Sequence, residues 1–118
     1  SSSLAGKRVL YRYSEDDWYE HVYFSAETMA WNCVNGAEKG IADVEKCAYY
    51  DVADDLHVLF WTEAIMPVES VVVVDLKLMR SIGRFFCWDP KPEKLLHLTF
   101  GSKATLLNET RYPATFKE

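Results

Sequence analysis

The sequence predicts an all-β protein folded as a small, closed, antiparallel barrel. Short runs rich in Val, Tyr, Phe, Trp and Thr recur along the chain and are separated by polar or Gly/Pro turns. This pattern is typical of β-sandwiches and β-barrels. The chain has 118 residues, 49% of them apolar and 14% aromatic, enough for one domain with a modest core and too apolar for disorder.

The first three runs predict an up-and-down meander, since each ends in a short polar turn. The predicted strands are residues 7–14, 18–25 and 28–35, and the turns are 15–17 and 26–27. Apolar and polar side chains alternate along each run, as in a strand with one buried face.

The rest of the chain continues the same pattern with longer loops. A two-glycine loop at 35–40 and a Pro67-containing loop at 64–69 are expected, and two prolines after residue 89 end the seventh strand. The predicted strands are residues 41–52 (with room for a bulge), 56–63, 70–75, 79–88, 95–100 and 104–107.

About eight or nine short strands with aromatic inner faces favour a barrel over an open sheet, because closure removes the sheet edges. A barrel of this size, like those of the lipocalins and other calycins, is wide enough for one small ligand. We predict one domain over residues 6–108, with residues 1–5 outside it and 109–118 as a surface tail.

Charge and cysteine content exclude several function classes. The net charge of −5 comes without any basic cluster, so neither nucleic acid nor a membrane surface is an expected partner. Cys33, Cys47 and Cys87 form no CxxC pair, and neither they nor the three histidines show metal-ligand spacing. No apolar run approaches the roughly 20 residues of a membrane span. We expect a cytoplasmic protein without a metal site.

The strand at 56–63 carries the most informative chemistry. Leu59, Trp61 and Glu63 share one face when the run is read with a period of two. If that face lines the interior, an acid stands at the end of an apolar wall, which would raise its pKa and suit it to proton transfer. In the alternative, Glu63 caps the strand and points into water.

Other polar residues are interpreted by the same alternation. Tyr11 and Tyr13 share a strand face, so both hydroxyls can point at one ligand or simply reach the barrel rim. His57 is expected to be solvated at the other barrel end, about 20 Å from Glu63 along the strand. Asp43 and Glu45 are expected to form a solvated face.

Several motifs resemble those of bacterial phenolic acid decarboxylases and of the related family of molybdenum-cofactor biosynthesis protein F (MoaF). They are Tyr11-Arg12-Tyr13, Trp18-Tyr19-Glu20, Trp61-Thr62-Glu63 and the glycine-then-aromatic run at 82–86. The resemblance covers residues 6–88 and is moderately specific, because the motifs occur together at the expected separations.

This resemblance implies that Tyr11 and Tyr13 hold a polar end of the ligand and that Glu63 handles the proton, without a cofactor. It also implies a homodimer and an interior position for His21, as a base or a core residue. The flat apolar walls of the substrate site would come from Trp31, Trp61, Met29 and Phe86.

The decarboxylase pattern also includes an arginine near position 41, and this sequence has none between Arg12 and Arg80. Arg84 is the nearest replacement, although an outward orientation is the expected one. An arginine fork neutralises a carboxylate in a dry pocket. We therefore expect acid/base chemistry on a planar conjugated or aromatic molecule, as a lyase, cyclase or isomerase, rather than hydroxycinnamate decarboxylation. The rival hypotheses are a non-catalytic binding barrel and a filled barrel that acts as a scaffold.

Overall fold

A computed structural model of the protein describes residues 3–63, 68–89 and 91–111, which form a closed antiparallel barrel of eight strands. Each strand pairs with its neighbours in the chain, and the last strand pairs with the first. The predicted up-and-down barrel is therefore confirmed. The strands are β1 (Lys7–Arg12), β2 (Trp18–Tyr23), β3 (Thr28–Asn35), β4 (Ala42–Ala53), β5 (Leu56–Thr62), β6 (Val68–Asp75), β7 (Arg80–Asp89) and β8 (Lys94–Glu109).

Alternation of apolar and polar side chains determines the inner face of each strand. In β1, Val9 and Tyr11 are buried whereas Arg12 is exposed. In β5, Leu59 and Trp61 are buried and the intervening Phe60 is exposed. These inner faces agree with the period-two interpretation of the sequence.

The predicted eighth and ninth strands are one strand, β8. Its first part pairs with β7, from Asp89↔Lys94 to Arg80↔Lys103, and its second part pairs with β1. A strand that closes the barrel in this way must be long, and Gly101 stays in the ladder opposite Ile82 instead of ending it. The structure also begins β6 at Val68, earlier than predicted, while residues 64–67 of the predicted loop lie outside the described part.

One end of the barrel is filled with side chains. The fully buried residues there include Leu4, Val9, Tyr23, Met29, Leu59 and Val74. Leu4 precedes the predicted start of the domain at residue 6, and it closes this end because the Gly6 amide donates to the Tyr23 carbonyl. Within the described residues no helix could span a membrane.

Two polar side chains predicted to be solvated are buried instead. His57 is wholly buried, and its Nδ1 lies 2.5 Å from Oδ1 of Asp51. Glu45 is only 3% exposed, because it turns inward and accepts a hydrogen bond from Trp31 Nε1 at 3.0 Å. In both cases a nearby partner offsets part of the penalty of burial, which the sequence pattern alone could not reveal. Nε2 of His57 is buried without a hydrogen-bond partner among the described residues.

Candidate functional site

The other end of the barrel contains a cavity of about 320 Å³. It lies where β1, β5 and β7 end and where β2, β6 and β8 begin, so adjacent strands deliver side chains to the same end. Its volume falls at the lower limit of ordinary small-molecule sites. The lining residues are Tyr13, Asp17, Tyr19, His21, Trp31, Glu38, Trp61, Glu63, Val68, Phe85, Cys87, Leu98 and Phe100.

A network of aromatic contacts holds the cavity walls. The rings of Phe85 and Phe100 stack with centroids 4.4 Å apart. Tyr13 meets Phe100 edge-on at 5.3 Å, and Trp61 meets Phe85 edge-on at 6.4 Å. Such offset and edge-to-face pairs are favourable geometries, so the walls are pre-formed flat surfaces.

Gly83 makes room for this network on the inner face of β7. A Cβ atom at Gly83 would lie 2.6 Å from Phe100 Cζ and 2.6 Å from the Val71 carbonyl oxygen. The absence of a side chain therefore lets the Phe100 ring cross the neighbouring strand inside the barrel.

Glu63 lies at the end of β5, on the cavity surface. Its backbone amide donates to the Val68 carbonyl at 2.9 Å, which fixes the chain where β5 leads towards β6. Its Oε2 accepts a hydrogen bond from Trp61 Nε1 at 3.3 Å. The carboxyl group is thus held against the indole that forms one wall.

The surroundings of Glu63 favour its neutral form. Burial raises the pKa of the carboxyl group most, and the nearby carboxylates of Glu45, Glu38 and Asp43 raise it further, whereas the Trp61 hydrogen bond lowers it. A glutamic acid with a raised pKa is a better proton donor near neutral pH than one in water, and its conjugate base is a stronger base. This is the environment predicted for Glu63 from the apolar strand.

His21 faces the cavity as a neutral ring. It is buried, and burial lowers its pKa to about 3. Its Nδ1 lies 2.8 Å from the Tyr23 hydroxyl, which lies 2.8 Å from the Tyr11 hydroxyl. The other ring nitrogen, Nε2, has no partner among the described residues. His21 can therefore offer a ligand one hydrogen bond, whose direction is set by the Tyr23–Tyr11 chain.

The two predicted tyrosines have different positions. Tyr13 lines the cavity, whereas Tyr11 is 1% exposed and sealed below it, against Tyr23. Burial raises the pKa of both hydroxyls well above the ordinary value, so both stay protonated at neutral pH. Tyr11 can influence a ligand only through Tyr23 and His21.

Two predicted wall residues lie elsewhere. Met29 belongs to the filled end of the barrel, where it is fully buried. The prediction that Phe86 lines the interior is wrong: Phe86 lies on the outer face and stacks on His97 at 4.6 Å. Phe85 takes the inner position, because a shift of one residue along a strand moves a side chain to the opposite face. Arg84 is exposed and contacts His97 through Nη1.

Sequence reasoning missed two carboxylates of the cavity, those of Glu38 and Asp17. Glu38 reaches in from the loop between β3 and β4 and accepts a hydrogen bond from the Tyr19 hydroxyl. Burial, with Glu38 nearby, raises the pKa of Tyr19 well above its ordinary value. Asp17 adds a third carboxylate at the rim. Strand alternation cannot place loop residues, so only the two flanking glycines, Gly36 and Gly40, hinted at an unusual loop.

Within the described part of the chain, the cavity carboxylates lack a cationic neighbour in the lining. Among the described residues that line the cavity there is neither lysine nor arginine. Across residues 3–63, 68–89 and 91–111, no group of three His, Cys, Asp or Glu side chains is arranged to hold a metal ion. The arrangement is therefore an aromatic pocket with acidic groups at its mouth, one of them desolvated.

Comparison with known proteins identifies relatives of the chain. The model of the MoaF C-terminal domain family matches residues 1–110. Protein MoaF from Klebsiella aerogenes is 38% identical over 113 residues, which cover 95% of this chain and 43% of that protein. The chain thus spans less than half the length of this relative.

The fold also has a counterpart among solved structures. A crystal structure from Burkholderia vietnamiensis, described as a candidate beta-lactamase, superimposes with a TM-score of 0.71. The match covers 88% of this chain and 95% of that chain at 18% sequence identity, and it shows a shared fold alone. Together with the barrel and the family match over residues 1–110, the sequence identity shows that this chain belongs to the MoaF C-terminal domain family.

Proposed function

We propose that the barrel binds a small planar, conjugated or aromatic molecule and that Glu63 transfers a proton to or from it. The observation that carries this proposal is a desolvated carboxyl group at the wall of an aromatic cavity. The domain would act in the cytoplasm, as a lyase, cyclase or isomerase, with no cofactor in the proton transfer.

The proposed roles follow from position and protonation state. Tyr13 donates a hydrogen bond to an oxygen of the substrate, because its hydroxyl remains protonated. Trp31 and Trp61 hold the planar body of the molecule between flat surfaces. Glu63 removes a proton from the carbon between a carbonyl and a C=C bond, and the electron pair passes to the carbonyl oxygen. The pair then returns through the shifted double bond to the far carbon, which takes the proton back from the same carboxyl group as the carbonyl re-forms.

A neutral planar ketone, 2-tetralone, tests proton transfer without knowledge of the natural substrate. In D₂O, removal of a C1 proton followed by return of a deuteron replaces hydrogen by deuterium, and ¹H NMR measures the rate. We expect the protein to accelerate this exchange about 10²-fold or more over buffer, a typical value for positioned acid/base catalysis. Glu63→Gln should return the rate to background while the barrel stays folded.

The matched control is Glu69→Gln, which removes the same charge from an exposed position on β6. This variant should exchange at the wild-type rate. If folded Glu63→Gln retains the exchange rate of the wild type, Glu63 is not the proton-transfer group and the proposal is wrong.

A non-catalytic binding barrel is the second proposed function, and one observation favours it. Neither His21 nor the cavity tyrosines change charge near neutral pH, because His21 stays neutral and Tyr13 and Tyr19 stay protonated. A two-group acid/base mechanism would therefore need the substrate's own groups. If 2-tetralone quenches tryptophan fluorescence by binding, yet shows no exchange above buffer, the binding function replaces the catalytic one.

A further inference from the structure

We propose that the ligand of this cavity is an organic cation: a planar aromatic molecule whose ammonium group sits beside Glu63, against the indole and phenol rings. This inference names the substrate class for the function proposed above and rests on it. It follows from the charge, the walls and the hydrogen-bonding groups of the cavity.

The charge of the cavity is uniformly negative. Three carboxylates line it, from Asp17, Glu38 and Glu63, and no lysine or arginine does so among the described residues. Glu45 lies just behind the Trp31 wall, bonded to the indole nitrogen. His21 adds no positive charge at neutral pH, because burial lowers its pKa to about 3.

Among the described residues, the strongest charges acting on Glu63 are also of one sign. The neighbours that act on its carboxyl group through space are Glu45, Glu38 and Asp43, and each of them disfavours ionisation. A ligand ammonium would supply the missing opposite charge, which stabilises a carboxylate strongly at short range. A ligand carboxylate would add one more like charge and leave both groups without a counter-ion.

The aromatic walls suit the same ligand. Cations bind favourably over the faces of Trp and Tyr rings, and this attraction increases when water is excluded. Tyr13, Tyr19, Trp31 and Trp61 line the same cavity as Glu63, with the rings of Tyr19 and Trp31 6.2 Å apart and Trp61 bonded to Glu63. Phe85 and Phe100 extend the apolar surface for the planar part of the molecule.

The hydrogen-bonding groups complete the assignment. An ammonium group donates three hydrogen bonds and accepts none. Carboxylate oxygens of Glu63 and Glu38 are acceptors, and Nε2 of His21 accepts when its Nδ1–H donates to Tyr23. The Tyr11–Tyr23 pair permits that arrangement, because either hydroxyl can be the donor.

The test compares three probes with the same naphthalene body and different charge: 1-naphthylmethylamine, 1-naphthylmethanol and 1-naphthoate. Isothermal titration calorimetry at pH 7 gives each Kd, at about 20 mM and about 200 mM salt. We expect the amine to bind about tenfold or more tighter than the alcohol, since hydrogen bonds to ionised groups are about twice as strong. The carboxylate should bind most weakly, and higher salt should weaken only the amine.

Glu63→Gln should reduce the preference for the amine over the alcohol to about threefold or less, because the nearest counter-ion is lost. Glu69→Gln, which removes the same charge from the outer surface, should keep the full preference. At pH values close to the pKa of Glu63, binding of the amine should also release protons, because a nearby cation shifts Glu63 towards its ionised form. Titrations in buffers of different ionisation enthalpy measure that release.

Different outcomes test the cationic ligand and the proposed function separately. If the alcohol or the carboxylate binds as tightly as the amine, the cationic substrate class is wrong while the aromatic pocket stands. If the amine preference survives in Glu63→Gln, Glu63 is not the counter-ion and the inference is overturned. If none of the three probes binds, the inference is wrong, and the 2-tetralone exchange decides the proposed function separately.

Discussion

The two ends of this barrel are built from the same strands but have opposite characters. At the filled end, Val9, Tyr23 and Leu59 are wholly buried and leave no room for a ligand. At the cavity end, inward-facing residues further along the chain, such as Tyr13 after β1 and Trp61 in β5, line a cavity of about 320 Å³. We therefore expect side chains at the filled end to contribute more to stability than those at the cavity end, which can hold unfavourable charge.

Two tryptophan–glutamate pairs show the difference at the level of single groups. Trp31 donates to Glu45 at 3.0 Å in a buried position, whereas Trp61 donates to Glu63 at 3.3 Å on the cavity surface. Only the second carboxyl group is positioned to meet a ligand. The same indole–carboxyl contact thus supports a wall in one place and holds a carboxyl group on the cavity surface in the other.

The largest effect should come from shortening a leucine at the filled end. Leu59→Ala removes a fully buried side chain and should lower the free energy of unfolding by about 2–5 kcal/mol. Leu98→Ala, at the cavity end, should lower it by less than about 1 kcal/mol because Leu98 is 52% exposed. Urea unfolding of both variants measures the contrast, and equal losses would contradict a division between a filled and an open end.

His21 should make stability depend on pH. Its pKa is lowered from 6.5 to about 3 in the folded barrel. Between these two pH values the ring stays neutral in the folded protein, whereas the unfolded chain takes up a proton. The contribution of His21 to the free energy of unfolding is therefore fully present above pH 6.5. It is lost as the pH falls below that value, by at most about 1.4 kcal/mol per pH unit. Urea unfolding of wild type and His21→Phe between pH 7 and pH 5 should show a steeper decline in the wild type. Parallel declines would mean that His21 titrates freely.

A smaller effect should separate the inner and outer faces of β7. Phe85→Leu removes an aromatic wall and should weaken binding of 1-naphthylmethylamine by about 0.5–1.5 kcal/mol, the value of a favourable aromatic pair. Phe86→Leu, on the outer face against His97, should leave the Kd unchanged. A larger loss from Phe86→Leu than from Phe85→Leu would reverse the assigned inner face.

Most of the fold could be predicted from the sequence because a barrel strand has one inner and one outer face. The period-two pattern correctly assigned the inner faces of β1 and β5, including Tyr11 and Trp61. It failed in β7, where two consecutive phenylalanines satisfy either register equally well. The pattern also does not indicate how far along the barrel axis a side chain lies. It therefore could not predict that Tyr11 and Met29 lie below the cavity.

The missed polar groups share another physical cause. Glu45 and His57 are buried because each has a partner from a different position in the chain, Trp31 Nε1 and the Asp51 carboxylate. Glu38 reaches the cavity from a loop, where no periodicity applies. Predicting such residues requires the strand register and the loop path, and a single sequence contains only weak signals for either.

The most direct test is the titration of the Glu63 carboxyl group, by ¹³C NMR of glutamate-labelled protein with Glu63→Gln to assign the signal. We expect a pKa above the ordinary value of 4.5, because burial and three neighbouring carboxylates disfavour the charge. Saturation with 1-naphthylmethylamine should lower that pKa, since the ammonium supplies the opposite charge. A midpoint at or below 4.5 in the free protein would show instead that Glu63 is an ordinary solvated carboxylate, without the environment needed for proton transfer or for pairing with a cation.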